Sequence, residues 1–439
     1  MTGKKKQMGA RDTALSVLIA CRRKQAWSDA TLKEYILRDR LDRRDAAFAT
    51  RLCGGVLQNG LLLDYWLSLF LKGKPSDLQP IVADILRLAV YQLRFMDRVP
   101  PSAAVNEAVR QCKKHANAGA AGLVNAVLRN MLRFPERLKL PDDLSVRYSH
   151  PQKLVELLRE SVGEAVLETV LQADNAAPQT CVQVNTLRCD AAEAAEALSA
   201  EGYTVQPHPW LEDCLLISGG TVEQSRLFAD GAIYVQDAAA RLAALCSGAK
   251  PGDTVLDCCA APGGKSLAAA IQMNDRGSVV SCDLHPHKIP LIEKNAKRLG
   301  LTAIHAMQAD AAKDQPDLHD AFDVVIADVP CSGLGVIRKK PEIRYKDLSE
   351  AGRLPELQQK ILNTQAAYVK PGGCLLYSTC TVLKRENEAV AERFLREHPD
   401  FSAQELPLPA RFGTRTMLTL LPGVDETDGF FIAKFRRNT

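Results

Sequence analysis

No stretch of this 439-residue chain is apolar for long enough to cross a bilayer, which takes about 18–20 residues. Its thirteen cysteines include no C-x-x-C pair and no zinc-ligand spacing. An odd number scattered in this way makes no disulfide framework, and no metal is expected. A reduced, cytoplasmic setting follows, with most of the thiols acting as small buried apolar groups. A cleavable leader is not expected: after Lys4-Lys5-Lys6, the apolar residues 14–21 run straight into Arg22-Arg23-Lys24 and read as a first helix. Long internal repeats and low-complexity tracts are missing as well. Net charge is also small, at +4.

The distribution of that charge is not bland. Residues 1–140 hold 25 Lys and Arg against 12 Asp and Glu, while the remainder holds 31 against 40. A basic module joined to an acidic body suggests contact with nucleic acid. At roughly 100–200 residues per domain, the length calls for two or three. Segment 1–140 is expected to be an all-α bundle, because Ile81, Val82, Ile85, Leu86, Leu88 and Ala89 recur at helical spacing. Leu123, Val124, Val127, Leu128 and Met131 do the same. Residues 141–235 read as a small helical and α/β connector, with helix over 151–173 and 191–200 and strand over 181–185 and 214–217. From 236 to 439 the rhythm is strand, turn, helix. Strands are expected over 254–258, 278–283, 304–309, 323–329 and 373–378, with a helix over 288–299. That alternation implies a parallel α/β sheet with helices on both faces. Two late runs, 416–421 and 429–435, are placed to form an antiparallel hairpin at its end.

Chemistry concentrates at the ends of those strands, where doubly wound sheets gather their ligands. The turn Cys259-Ala260-Ala261-Pro262-Gly263-Gly264-Lys265 follows one strand and opens a helix. Paired glycines allow close backbone approach, and the helix start offers free N–H groups. It is not a P-loop, since Cys259 occupies the first glycine position. Asp257, Asp283, Asp310 and Asp328 each sit at or near a strand tip. Asp283 follows Asp257 at a spacing that suits a ribose diol, which favours an adenosine ligand. Cys331 and Cys380 lie just past two further strands. There, backbone N–H groups and cofactor charge are expected to lower a thiol pKa. A thiolate can add to C6 of a pyrimidine and make C5 nucleophilic, with Asp328 placed to hydrogen-bond ring N3. Packing cysteines remain the open alternative on these grounds.

Four motifs carry a resemblance: Asp257-Cys258-Cys259-Ala260-Ala261-Pro262-Gly263-Gly264-Lys265, Asp328-Val329-Pro330-Cys331-Ser332-Gly333-Leu334-Gly335, Tyr377-Ser378-Thr379-Cys380-Thr381 with Glu386-Asn387-Glu388, and Asp428-Gly429-Phe430-Phe431. Residues 236–439 thereby resemble the RNA cytosine-5 methyltransferases of the NOL1/NOP2/Sun family. The resemblance implies a Rossmann-like methyltransferase sheet. It also implies S-adenosyl-L-methionine bound by Cys259, Ala260, Ala261, Pro262, Gly263, Gly264, Lys265, Asp283, Asp310 and Asp328. Cys380 would be the nucleophile and Cys331 would assist product release. DNA cytosine methyltransferases use their Pro-Cys thiol as nucleophile, so this assignment rests on the family. Val329 and Leu334 depart from the commoner Ala and Thr, which should change packing near the target base.

The segments Leu86-Arg87-Leu88-Ala89-Val90-Tyr91-Gln92-Leu93, Val99-Pro100-Pro101, Asn106-Glu107-Ala108-Val109 and Gly122-Leu123-Val124-Asn125-Ala126-Val127-Leu128 resemble a NusB-type RNA-binding domain. Its fusion to this catalytic domain is similar to bacterial 16S rRNA methyltransferases. In the connector, Val184-Asn185-Thr186-Leu187-Arg188 resembles a family segment near the RNA. Arg338, Lys339 and Lys340 are candidate backbone contacts, or a solvated loop. The expected partner is 16S rRNA, free or in early assembly particles, met by a monomer without a membrane. The rivals are a tRNA cytosine-5 methyltransferase, a P-loop ATPase acting on RNA and a non-catalytic ribosome-assembly factor.

Overall fold

The computed structural model describes residues 8–24 and 28–439. Lys4-Lys5-Lys6 lie outside them. The chain divides into two compact units.

The first unit takes the described residues up to Arg159, together with Asp174–Ala176 and Ile337–Lys346. Its helices are α1 (Ala10–Lys24), α2 (Ser28–Asp39), α3 (Arg43–Gln58), α4 (Gly60–Ser68), α5 (Pro80–Phe95), α6 (Pro101–His115), α7 (Ala118–Arg133) and α8 (Leu144–Arg147). The periodic residues meet as expected, with Val82, Ile85, Leu86, Leu88 and Ala89 joining Val124, Val127, Leu128 and Met131 in one core. Asp42 and Asn117 cap α3 and α7 by accepting from backbone N–H groups of the first turn. The decapeptide Ile337–Lys346 is far from these helices in sequence, yet it is built into their unit. Its anchor is Arg344, only 1% exposed. One nitrogen, Nη1, donates to the carbonyl of Gln58 and to Asn175 Oδ1, both at 2.8 Å.

The second unit begins with two helices, α9 (Gln152–Val162), which the unit boundary crosses, and α10 (Glu164–Ala173). A single helix over 151–173 is therefore corrected. Gly163, at φ +84°, turns the chain in a conformation that L side chains resist. The connector sheet holds β1 (Thr180–Val184), β2 (Thr204–Pro207), β3 (Cys214–Ser218) and β4 (Ile233–Val235), with helices α11 (Ala191–Ala200) and α12 (Arg226–Ala229). It is antiparallel, in the order β2-β3-β1-β4. A capping box opens α11: Asp190 accepts from the Glu193 N–H, and Glu193 accepts from that of Asp190.

The large sheet contains β5 (Thr254–Asp257), β6 (Ser278–Asp283), β7 (Ile304–Gln308), β8 (Phe322–Asp328), β9 (Val369–Thr379), β10 (Phe401–Ala403), β11 (Met417–Leu420) and β12 (Phe430–Arg437). Its order is β10-β12-β9-β8-β5-β6-β7, with β11 pairing on β12. Pairs among β5–β9 are parallel, while β12 runs antiparallel to β9, β10 and β11. The expected late hairpin is thus β11 with β12. Alternate residues face opposite cores, as the pleat requires. Val255, Val324, Ile326 and Leu376 pack with α13 (Ala238–Ser247) and α14 (Gly264–Gln272). Helix α15 (Ile289–Leu299) adds Ala296 and Leu299 to that face. Leu256, Val325 and Leu375 instead meet Ile361, Leu362 and Phe394. These come from α17 (Leu354–Ala366), which follows the short α16 (Leu348–Ala351), and from α18 (Glu388–Glu397).

Candidate active site

Strand β5 has β6 on one side and β8 on the other. The sheet order reverses there, and the crevice at the strand ends opens at such a point. The glycine turn occupies this position. Gly263 stands at φ +106° directly before α14, and the Ala261–Pro262 peptide is cis. Ser266, on the first turn of α14, donates to Asp257 Oδ2 at 2.7 Å and ties helix to strand.

Asp257 is fully buried, so its expected place in a ligand-facing row is corrected: it braces the turn from below. Burial pushes its carboxyl up to about 6. An acid raised in this way stays protonated in the fold at a pH where the unfolded chain has already ionised. Its contribution to stability is therefore lost as pH rises from the ordinary value to about 6. The displacement is worth roughly 3 kcal/mol. Asp257→Asn keeps an acceptor for Ser266 and cannot ionise. Urea unfolding should find it more stable than the parent at neutral pH, with the gain shrinking towards about pH 4.5. An equal gain at every pH would refute this account.

Asp283 ends β6, buried, with Oδ1 accepting from the His285 N–H at 2.9 Å and Lys288 at 3.5 Å. Asp310 lies two residues past β7, half-buried, and accepts from the Ala312 N–H at 3.0 Å. These carboxylates, the turn and the N–H groups opening α14 suit a nucleoside cofactor with a polar tail.

Asp328 ends β8, and both of its oxygens are engaged. Lys265 Nζ donates to Oδ2 at 2.6 Å and Ser378 Oγ to Oδ1 at 2.8 Å. Burial alone would pull the Lys265 ammonium down, but the Asp328 carboxylate outweighs it and the pKa is raised. The Phe430 ring lies 5.0 Å from Nζ and completes its surroundings.

The two expected thiols meet. Cys331 Sγ and Cys380 Sγ are 3.2 Å apart, each partly exposed at the tip of its strand. The expectation that both are acidified is corrected for Cys331. Its hydrogen bond with Cys380, then burial, push this thiol well above its ordinary value. Raised in this way, Cys331 stays a thiol at neutral pH. Ser332 Oγ and Thr381 Oγ1, 2.8 Å apart, link the two loops. Gly335 donates its N–H to the Cys380 carbonyl at 3.0 Å, and its own carbonyl accepts from Gly429 at 2.8 Å. A Cβ at Gly335 would overlap the Gly429 carbonyl, so only glycine fits there. Val329 and Leu334 are both buried.

Asn185 and Arg188 do not reach toward a ligand. Asn185 is fully buried and donates to the carbonyls of Gly231 and Leu299, and Arg188 also donates to Leu299. They join the connector to the end of α15. Arg338 and Lys339 are half-buried and Lys340 is exposed. Sequence reasoning gave no role to Ser378, Phe430, Gln358, Glu386 or Asn387. For all but Gln358, the signal was membership of a motif.

A parallel sheet with its glycine turn at the switch point, closed by an antiparallel β12, defines a Rossmann-like methyltransferase domain, and a NusB-type helical domain precedes it in the sequence. Residues 244–436 match the family described as 16S rRNA methyltransferase RsmB/F, and residues 8–133 match the NusB family. Residues 150–222 match the RsmF/B-like ferredoxin-like domain. The probable ribosomal RNA small subunit methyltransferase B of Bacillus subtilis (strain 168) is 39% identical over 98% of this chain and 99% of its own length. That of Synechocystis sp. is 34% identical over 98% and 100%. The chain belongs to the RsmB/F family. Among solved structures, PH0851 covers 99% of this chain and 100% of its own, at 25% identity and a TM-score of 0.80. NSun6 from Pyrococcus horikoshii, solved with SFG, shares the fold at 20% identity and a TM-score of 0.60, over 66% of this chain and 98% of its own. Among the described residues, no helix is long and apolar enough to cross a membrane.

Proposed function

We propose that this protein transfers a methyl group from S-adenosyl-L-methionine to C5 of a specific cytosine in 16S rRNA, through a covalent Cys380–C6 adduct. The observation that carries this reading is the pair of thiols at 3.2 Å beside the Lys265–Asp328 pair. The RsmB/F family membership and the names of the relatives support the substrate.

Cys259, Ala260, Ala261, Pro262, Gly263, Gly264 and Lys265 would line the cofactor's polar tail, with Asp283, Asp310 and Asp328 at its nucleoside side. Bound there, S-adenosyl-L-methionine supplies an electrophilic methyl group. The chain's own residues do the rest. The Cys380 thiolate adds to C6 and loads electron density onto C5. As the thiolate adds, N3 takes a proton from water, and the Asp328 carboxylate, held by Lys265 and Ser378, accepts from that N3–H and fixes the base. Once C5 carries the methyl group, water takes the C5 proton, its electron pair re-forms the C5=C6 bond and the C6–S bond breaks; the Cys331 thiol stabilises the departing thiolate by its hydrogen bond. The base must leave its stack for this attack. Residues 1–140 and 141–235 would serve as RNA-positioning segments for the catalytic segment 236–439. In that arrangement the basic side chains of the first segment supply affinity through phosphates. The protein would act in the cytoplasm as a monomer, on free 16S rRNA or early assembly particles.

The test is labelled S-adenosyl-L-methionine with unmethylated 16S rRNA, and tRNA in parallel, read by mass spectrometry for 5-methylcytidine. Product on 16S rRNA alone is expected. Product on tRNA alone would replace the substrate. Product on neither RNA, nor on assembly particles, would favour a non-catalytic assembly factor.

A further inference from the structure

The dipeptide Glu386-Asn387 lies between β9 and α18, and both residues are completely buried. A buried carboxylate is expensive unless its partners are worth the desolvation. Its partners here are specific. Glu386 Oε2 accepts from the Ser332 N–H at 2.9 Å and from Gln358 Nε2 at 3.0 Å. The same Gln358 nitrogen donates to the Pro330 carbonyl at 3.0 Å. Glu386 and Gln358 therefore grip the backbone on both sides of Cys331. Asn387 does the equivalent for the other thiol. Its Oδ1 accepts from Thr379 Oγ1 at 2.6 Å, and its Nδ2 donates to the Thr381 carbonyl at 3.0 Å. Thr379 and Thr381 flank Cys380.

Two adjacent residues thus each hold one cysteine loop, and their Cα atoms are fixed about 3.8 Å apart by the peptide between them. The dipeptide itself is held. Tyr377 OH donates to the Glu386 carbonyl, the Glu386 N–H to Leu383, and the Asn387 N–H to Lys384. The Asn387 carbonyl then accepts from Ala391 in the first turn of α18.

We infer that Glu386 and Asn387 are positioning residues that set the spacing of the two thiols. The Ser332–Thr381 link joins the loops to each other but references neither to the sheet. The dipeptide does both. The catalytic consequence of this spacing rests on the covalent-cysteine reading above. The spacing itself can be measured without RNA.

The experiment follows closure of the Cys331–Cys380 disulfide by diamide. Two thiols lose two hydrogens to the azo compound, giving the disulfide and a hydrazine, and the cross-linked peptide is quantified by mass. Glu386→Ala and Asn387→Ala should close on the order of tenfold more slowly, because displacement of either loop misplaces a sulfur. Glu386→Gln keeps an acceptor for Ser332 and Gln358 and should stay within about threefold of the parent. An unchanged or faster rate in both alanine variants overturns the inference. If either fails to fold by circular dichroism, Asn387→Asp and Gln358→Met take their place under the same criterion. The RNA adduct is scored alongside. Slower closure with no adduct in the parent keeps the spacing role and removes the covalent reading. An adduct in the parent with unchanged closure removes the spacing role alone.

Discussion

Cys380→Ala is expected to abolish both methyl transfer and any covalent protein–RNA species, while Cys331→Ala accumulates that species. The two sulfurs are neighbours, 3.2 Å apart. The pKa of Cys331 is pushed well up, foremost by its hydrogen bond with Cys380. A thiol held protonated is a poor nucleophile and a good hydrogen-bond donor. Cys380 then adds, and Cys331 serves the step in which Cys380 leaves. Loss of the nucleophile should lower kcat by at least about 10⁴-fold, as in other covalent catalysts. Loss of the donor should slow release by about 10²–10³-fold, within the range of acid–base assistance. Denaturing gels with labelled RNA separate the outcomes. Equal loss of the adduct in both variants would refute this division of labour.

The second large effect is expected at Asp328. Asp328→Ala leaves the Lys265 ammonium, whose side chain is 9% exposed, without its carboxylate. Breaking a buried ion pair costs about 3–5 kcal/mol. The lower figure applies, because the Asp328 side chain is itself 28% exposed. Methyl transfer should fall by about 10³-fold or more, since the base loses its fixed partner. The double variant Asp328→Ala/Lys265→Met removes the stranded charge. Urea unfolding should show much of the stability restored, and the activity assay none. Restored activity in the double variant would mean that Asp328 serves only to neutralise Lys265.

The sequence made every strand of the large sheet but β10 legible to within a few residues, because apolar runs, several of them ending in aspartate, mark them. Helix α11 was legible at both ends, with Asp190 and Glu193 supplying its capping box. Other features depend on partners far away in the chain. Gly163 breaks a pattern that is apolar on both sides of it. Strands β4 and β10 have three residues each, too short for alternation to register. Asn185 and Arg188 stood near the RNA only by resemblance to a family segment, which says nothing of their hydrogen-bond partners; their acceptors are carbonyls 46 to 114 residues away. Both thiols could be named from motifs, but the raised pKa of Cys331 depends on the 3.2 Å approach of Cys380, which no spacing encodes. Glu386 and Asn387 were visible as motif letters and mute about what they hold.

The decapeptide Ile337–Lys346 limits how this gene can be cut. A fragment ending before it would lack the Arg344 guanidinium that donates to the carbonyls of Gln58 and Ser149. A fragment starting after Arg159 would carry Ile337, Ile343 and Arg344, buried in the whole chain, with the partners of Arg344 at Gln58, Tyr148 and Ser149 deleted. Neither half is a cassette that can be lifted out by a single cut. Swapping the helical module between relatives calls for transplanting the decapeptide with it.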